Sequence, residues 1–327
     1  MYKACWVDFC LTSDVMAAMD AAIKDGVHIL SLSLGAGPAR FYNDAIAIGA
    51  FAAVRNGIFV ACSAGNEGWP EKTVTNGAPW IMTVGASSID RKFPANVVLG
   101  NGEVYVGESL HVGSLNTTSM APLVHFQYCN ETYITSQTVE GKIVLCDVGY
   151  SDLIDAGILA TSAGGVGLIG LNGPECGEGI MVEAFISPSL TLGYLESKKL
   201  LSYMNTTSYP RAMLEFKYQE VIGEIRAPAV AFFSSRGPHV VLPEILKPDI
   251  IAPGMNIIAS WPTESSLTDS PKDQRRHNLR HLHVLPSCGR HCRIDPCRSP
   301  SMVARHDQIG DDDYSCRARQ QLSPDNC

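Results

Sequence analysis

No apolar run in this 327-residue chain approaches the roughly 20 residues that a membrane-spanning helix requires. The best, "AIAIGAFAAV" at 45–54, is about half that length and carries a glycine, so no membrane partner is expected. Charge is also scarce: 18% of residues are charged, the net charge is −8, and the basic residues form no aromatic-interleaved stripe. A phosphate backbone needs clustered Lys and Arg to displace its counterions, so nucleic acid is not an expected partner either. The opening "MYKACWVDFC" has neither the basic start nor the apolar segment of a secretory leader. That reads either as a protein kept inside the cell or as a sequence whose beginning is missing. At 46% hydrophobic residues, the chain has enough apolar side chains for one or two ordinary cores.

Two apparent motifs lack what they would need to function. "GVGLIG", Gly165–Gly170, formally matches the dinucleotide fingerprint, but it follows a helical segment and lies within a strand-like run. Close packing and a turn are expected there, and no cofactor. "LRHLHVLPSCGRHCRIDPC", Leu279–Cys297, crowds His281, His283, Cys288, His291, Cys292 and Cys297 together. Its spacing lacks the paired Cys-x₂₋₄-Cys and His-x₃₋₅-His framework of structural zinc sites, so no metal is assigned.

What is present is an alternation of helices and apolar strands. Ser13–Gly26, "SDVMAAMDAAIKDG", has a serine placed to cap it, apolar residues at helical spacing and a terminal glycine. It runs into "VHILSLSLG", Val27–Gly35, a strand ending in a glycine turn. A helix over about 43–56 then leads to "GIFVACSAGNEG", Gly57–Gly68, and a third strand follows in "WIMTVGASS" from Trp80. This rhythm implies βαβ units and a buried parallel sheet, with functional loops at the carboxyl ends of the strands. From about Gly107 the texture changes to short strands such as "GKIVLCD" and a helix near 153–162, with little α/β rhythm. The first texture returns near Gln219, so the middle reads as an inserted domain.

Taken in order, "YKACW", "DGVHILSLSLG", "AIAIGAFAAVRNGIFVACSAGNEG", "NGAPWIMTVGASSIDRKFPA", "GKIVLCD", "FSSRGP" and "EILKPDIIAPGMNIIASW" resemble the plant subtilisin-like serine proteases. The likeness covers roughly residues 2–276. It implies an α/β fold, an incomplete subtilisin-like doubly wound parallel sheet, interrupted by a mainly β protease-associated domain. The expected divisions are 1–106 and 219–276 for the protease core, 107–218 for the insertion and 277–327 for a tail outside the family pattern. The resemblance makes Asn66 the oxyanion-hole asparagine, an amide N–H aimed at developing negative charge. It makes Ser33, Leu34 and Gly35 one wall of a peptide cleft, Ser63, Ala64 and Gly65 the other, and gives Arg236 no catalytic role. The implied partner is a peptide or protein substrate, the implied location extracellular, and no cofactor is required.

The same resemblance calls for a nucleophilic serine, a histidine that takes its proton and an aspartate that orients the histidine. No Asp-Ser/Thr-Gly or His-Gly-Thr-His motif occurs in the chain, and both would precede Tyr2 in the family order. The serine belongs in a Gly-Thr-Ser-Met motif shortly after "ASW", and none can be read there. The genetic code offers a reason. Shifted forward by one nucleotide, codons for Leu279–Pro286 permit Ser-Gly-Thr-Ser-Met-Ser-Cys-Pro, and those for Ser287–Pro300 permit His-Val-Ala-Gly-Ile-Ala-Ala-Leu-Ile-Arg-Ala-Ala-His-Pro. A frameshift or altered splice junction near His277 is therefore expected, with Leu282 where the serine would stand. The chain is expected to be a family member without hydrolytic activity. The alternatives are a peptide-binding or protein-interaction module, or a zinc-binding tail.

The chain has 11 cysteines, so at least one thiol stays outside intramolecular disulfides. Cys129 and Cys146 flank part of the insertion and could pair in a secreted protein, whereas Cys62 in an apolar strand reads as a buried thiol. Glycosylation sequons stand at Asn116, Asn130 and Asn205.

Overall fold

The computed structural model describes residues 1–5, 10–37, 39–68, 70–111, 119–217 and 219–258. The tail with its histidines and cysteines, Leu282, and the sequon at Asn116 lie outside the described residues. The chain divides into two compact units: Met1–Ile89 with the segment from Ala227, and Asp90–Arg226.

The first unit begins with α1 (Thr12–Lys24), β1 (Ile29–Leu32), α2 (Ala45–Arg55), β2 (Phe59–Ser63) and β3 (Met82–Ser87). Helix α1 starts one residue before the serine expected to cap it, with Leu11 at the cap position and no side-chain cap bond. Helix α2 is capped as Asp residues allow: the Asp44 carboxylate accepts the Ile46 N–H at 2.9 Å and the Ala47 N–H at 3.3 Å. Its inner face is built of Ala47, Gly49, Ala50 and Ala53, small enough for α1 to approach. A Cβ on Gly49 would stand 2.6 Å from the Met19 sulfur. Val15, Met19 and Ala22 of α1 join Ile46 and the α2 alanines over Leu30, Leu32, Val60 and Cys62 of the strands. Trp80 closes this core, donating its indole N–H to the Ala47 carbonyl at 2.9 Å and meeting Phe41 and Phe51 edge-on.

The chain then builds the second unit: β4 (Arg91–Lys92), β5 (Pro94–Leu99), β6 (Val104–Glu108), β7 (Ala121–Phe126), α3 (Ser136–Val139), β8 (Ile143–Asp147), α4 (Leu153–Ser162), β9 (Gly167–Leu171), β10 (Ser189–Leu192), α5 (Tyr194–Thr206), β11 (Arg211–Phe216) and β12 (Val221–Ile222). Seven of these strands close a barrel in the order β10-β6-β5-β11-β7-β8-β9. Strands β5 and β6, expected with the protease core up to residue 106, are hydrogen-bonded into this barrel, because β5 pairs with β11 from Ala95 to Leu99. The expectation of little α/β rhythm in this region needs correction. Strands β7, β8, β9 and β10 run parallel, and α4 lies between β8 and β9 in the chain. Short strands and the polar sequence of α5 hid this rhythm.

Alternate residues fill the barrel: Ala95, Val97 and Leu99 from β5, Ala212, Leu214 and Phe216 from β11. Strand β8 is buried on both faces. Ile143 and Leu145 point inward, while Val144 and Cys146 pack with Leu168 against Ala156 and Ala160 of α4, so "IVLC" is continuously apolar. Cys146 is disulfide-bonded to Cys129, and a second disulfide joins Cys5 to Cys10. The glycines of "GVGLIG" lie in β9 and its approach. A Cβ on Gly167 would meet Leu214 at 2.7 Å and one on Gly170 would meet Leu153 at 2.6 Å, so close packing explains them.

Strand β13 (Ile250–Pro253) completes the first unit's sheet, giving an all-parallel order β1-β2-β3-β13. The buried Lys247 holds its start: the ammonium donates to the Ile81 carbonyl at 2.6 Å and to the Asp249 carboxylate at 2.7 Å. The same carboxylate oxygen accepts the Thr83 N–H at 2.7 Å. Lys247 is buried and Asp249 exposed, so taking away the carboxylate would strand the ammonium's charge in a poorly solvated place. Asp249→Ala is expected to lose about 3 kcal/mol in denaturant unfolding, whereas a loss below about 0.5 kcal/mol would show the clamp to be idle.

In the second unit, burial pushes the Glu183 carboxyl up to about 7 from 4.5, with the nearby Asp152 adding to it. The folded protein therefore favours the protonated acid. This contribution to stability is complete below pH 4.5 and is lost as pH rises through about 7. Glu183→Gln should unfold about 2 kcal/mol less readily than the parent at about pH 8 and match it near about pH 4. Equal stabilities at both values would contradict the assignment.

Candidate functional site

Because all four strands of the first unit run parallel, their carboxyl ends share one edge, the place where such sheets present ligands. Leu32 of β1 pairs in register with Cys62 of β2, so Ser33–Gly35 and Ser63–Gly65 leave the sheet side by side. Ser33 and Gly35 are exposed and Leu34 is half-buried, while Ser63 and Ala64 are buried and Gly65 is half-buried. The two stretches expected to form facing walls are thus brought together.

A residue that sequence reasoning passed over joins them. The buried Asn76 carboxamide donates from Nδ2 to the Leu34 carbonyl at 2.7 Å and to the Ser63 carbonyl at 2.8 Å. Its backbone sits at φ 54, a left-handed conformation that asparagine tolerates better than most residues. Its carbonyl accepts the Thr83 hydroxyl at 2.8 Å. The preceding Thr75 donates its backbone N–H to the Ala64 carbonyl at 2.8 Å and its hydroxyl to the same oxygen at 3.2 Å. A Cβ placed on Gly35 or Gly65 would stand 3.1 or 3.2 Å from the Thr75 hydroxyl. Thr75 therefore lies between the two glycines, and Asn76 beneath the two walls. "TNG" at 75–77 was the available signal, an Asn-Gly turn just before a strand, but nothing local says that the amide spans two other strand ends.

Asn66 is exposed at the tip of the glycine loop. Its flanks are fixed by the "FSSRGP" segment. Ser235 donates its N–H to the Gly65 carbonyl at 3.0 Å, the Ser235 hydroxyl accepts the Glu67 N–H at 3.0 Å, and Gly68 donates its N–H to the Phe233 carbonyl at 2.8 Å. Gly65 has φ +106, and a Cβ there would stand 2.7 Å from the Ser235 hydroxyl, so this position demands glycine twice over. Ser234 and Ser235 are buried and Arg236 is exposed. Arg236 takes part through its backbone, accepting the Thr73 and Val74 N–H groups at 3.0 and 3.1 Å.

His239, also missed, is buried, and burial holds its imidazole below the ordinary histidine range against the opposing pull of Asp44. Its Nδ1 accepts the Leu242 N–H at 3.2 Å and its ring leans on Phe41 and crowds Gly77, so it serves packing. Among the described residues, no group of three or more His, Cys, Asp or Glu side chains could hold a metal ion. Cys62 is a buried thiol in β2. Chemically, the edge offers a short extended backbone, a glycine slot and one outward amide.

Residues 1–281 match the profile of the subtilase family, Peptidase S8. The chain belongs to the subtilase family. Subtilisin-like protease SBT1.6 of Arabidopsis thaliana is 43% identical over 293 residues, 86% of this chain and 38% of its own length. SBT1.4 of the same plant is 44% identical over 282 residues, 84% of this chain and 36% of its own. This subtilase chain thus spans under two fifths of the curated relatives it matches. A solved psychrophilic subtilisin-like protease from Pseudoalteromonas aligns with 65% of the chain and 59% of its own at 15% identity, with a TM-score of 0.29, too loose to bear on the site. The fold is α/β and subtilisin-like, and among the described residues no helix is long and apolar enough to cross a membrane.

Removing the Asn76 amide leaves the Leu34 and Ser63 carbonyls without their donor. Asn76→Ala is expected to cost about 2 kcal/mol in denaturant unfolding. It should also speed amide hydrogen exchange at Gly35 and Gly65, and unchanged exchange there would show that the walls stand without the bridge.

Proposed function

We propose that the first unit is the peptide-binding part of a subtilisin-like serine endopeptidase site. Ser33, Leu34 and Gly35 form one wall, Ser63, Ala64 and Gly65 the other, and Asn66 the oxyanion donor. The observation that carries this reading is the Asn76 amide tying Leu34 to Ser63, which sets two extended segments beside each other at the carboxyl edge of a parallel sheet. An extended peptide would lie against β1's continuation as an added strand, its carbonyl facing the exposed Asn66 amide.

Binding alone does not cleave. Acyl transfer needs a nucleophile, a base to take its proton and a group that orients the base, and these 327 residues carry none of the three motifs. Within this polypeptide, then, the cleft holds peptides without hydrolysing them. The displaced reading frame, with Leu282 at the serine's place, belongs to this proposal, and sequencing the transcript across the codons for residues 277–300 checks it. The second unit is read as the protease-associated insertion, and a protein-interaction role for it is the competing function. Passage through the secretory pathway, with sugars on Asn116, Asn130 and Asn205, completes the reading. The Cys129–Cys146 disulfide supports that compartment.

An active-site-directed fluorophosphonate and a fluorescent peptide library separate the readings. The expressed chain should take no label and should bind extended peptides in anisotropy titrations, with Gly65→Ala abolishing that binding. Labelling would overturn the non-catalytic reading, and an absence of peptide binding would overturn the cleft and favour the interaction role.

A further inference from the structure

The second unit bears a concavity of about 560 Å³ that the peptide-binding reading leaves unused. It lies between the β5–β6 turn, the outer side of α5 and the segment leading into β11. Its walls mix ring faces with hydrogen-bonding groups. Tyr105 donates its hydroxyl to the Glu103 carboxylate at 2.7 Å, and Arg211 makes no ion pair among the described residues. Tyr209 is 86% exposed, which leaves a flat apolar ring in water at the rim. A peptide side chain or an apolar small molecule calls for a greasier lining. Aromatic faces beside a carboxylate, a guanidinium and hydroxyls suit a pyranose, which offers a C–H face to a ring and hydroxyls around its edge.

The chain itself supplies a place to attach one. Thr206 and Thr207, the second and third residues of the sequon Asn205-Thr206-Thr207, line the concavity, as does Ser202 one turn earlier on α5. Asn205 is exposed in the last turn of that helix. The sequon at Asn130 is placed differently: its Oδ1 accepts the Thr132 N–H at 3.0 Å in a local turn, and none of its residues lines the concavity.

We propose that Asn205 carries an N-linked glycan whose first two sugar rings fold back into this concavity, stacked on Tyr209 and hydrogen-bonded by Glu103 and Arg211. In the transfer, the bond between the sugar C1 and the pyrophosphate oxygen of a lipid-linked oligosaccharide donor breaks. A C1–Nδ2 bond forms on Asn205, and the lipid pyrophosphate leaves with one amide proton. The attached sugar would cover the exposed tyrosine and pin the end of α5 to the β5–β6 turn. The inference rests on the secretory part of the proposed function.

The full chain, sent through the plant secretory pathway by an added leader, tests it by glycopeptide mass spectrometry and endoglycosidase kinetics. Asn205 should be occupied, and release of its glycan from native protein should be about tenfold slower than from denatured protein. Tyr209→Ala, which keeps the sequon, should bring the native rate within about twofold of the denatured one. An unmodified Asn205 beside a modified Asn130 would overturn this inference and the Asn205 sugar while leaving the secretory reading standing, and no modification at any sequon would overturn the secretory reading with it. Equal native and denatured rates at an occupied Asn205 would leave the glycan free in solvent and overturn its seat in the concavity.

Discussion

A single buried carboxamide holds the candidate site together. The four-stranded sheet brings the ends of β1 and β2 to one edge, but beyond Leu32 and Ser63 the ladder stops and nothing in it dictates where the chain goes next. Asn76 supplies that constraint by donating to a carbonyl on each side. Its two bonds replace the ladder bonds the strands no longer make, and a buried amide with both protons used has little freedom to reorient. Thr75 beside it and Ser235 behind the glycine loop extend the same scaffold. Leu34, Ser63, Ala64 and Gly65 are thus held through their carbonyls by donors from segments elsewhere in the chain.

That dependence explains the placement of the glycines. Gly65 stands where a side chain would strike Ser235, and Gly35 where one would press on Thr75. A slot walled by backbone is made possible by leaving out Cβ atoms, and it is kept open by hydroxyls that already have partners. The Lys247–Asp249 clamp performs a related service at the opposite end of β3, fixing a strand that returns to the sheet after the whole second unit has been built. The two devices together let a long insertion interrupt a sheet whose register must still be exact to one residue.

Much of this was legible in residues. The periodicity of 12–63 and the glycine that ends each strand announce βαβ units, and the continuous apolar runs announce strands buried on both faces. The ordered motifs pointed to Ser33–Gly35 and Ser63–Gly65, the two stretches that the sheet sets side by side. What stayed hidden was non-local or weakly patterned. Asn76 and Ser235 carry no local signal of their roles because their partners lie up to 168 positions away. The barrel claimed β5 and β6 because their pairing partners, β11 and β10, come about 100 residues later, and the largely polar α5 gave no strong apolar period. The half-buried state of Glu183 and the buried state of His239 are likewise properties of what packs over them.

By itself the amino-acid sequence determined the alternation of elements, the family and the absence of triad motifs, since these rest on local period and on residue identity in order. It also determined which positions are glycine and which asparagines sit in sequons. Tertiary structure alone decided which of those residues meet: that Asn76 bridges two walls, that Ser235 forces glycine at 65, that Lys247 anchors the last strand, and that Thr206, Thr207 and Tyr209 border one concavity. The physical reason is that a hydrogen bond or a steric contact depends on distance in space, and a sequence orders its residues only along the chain.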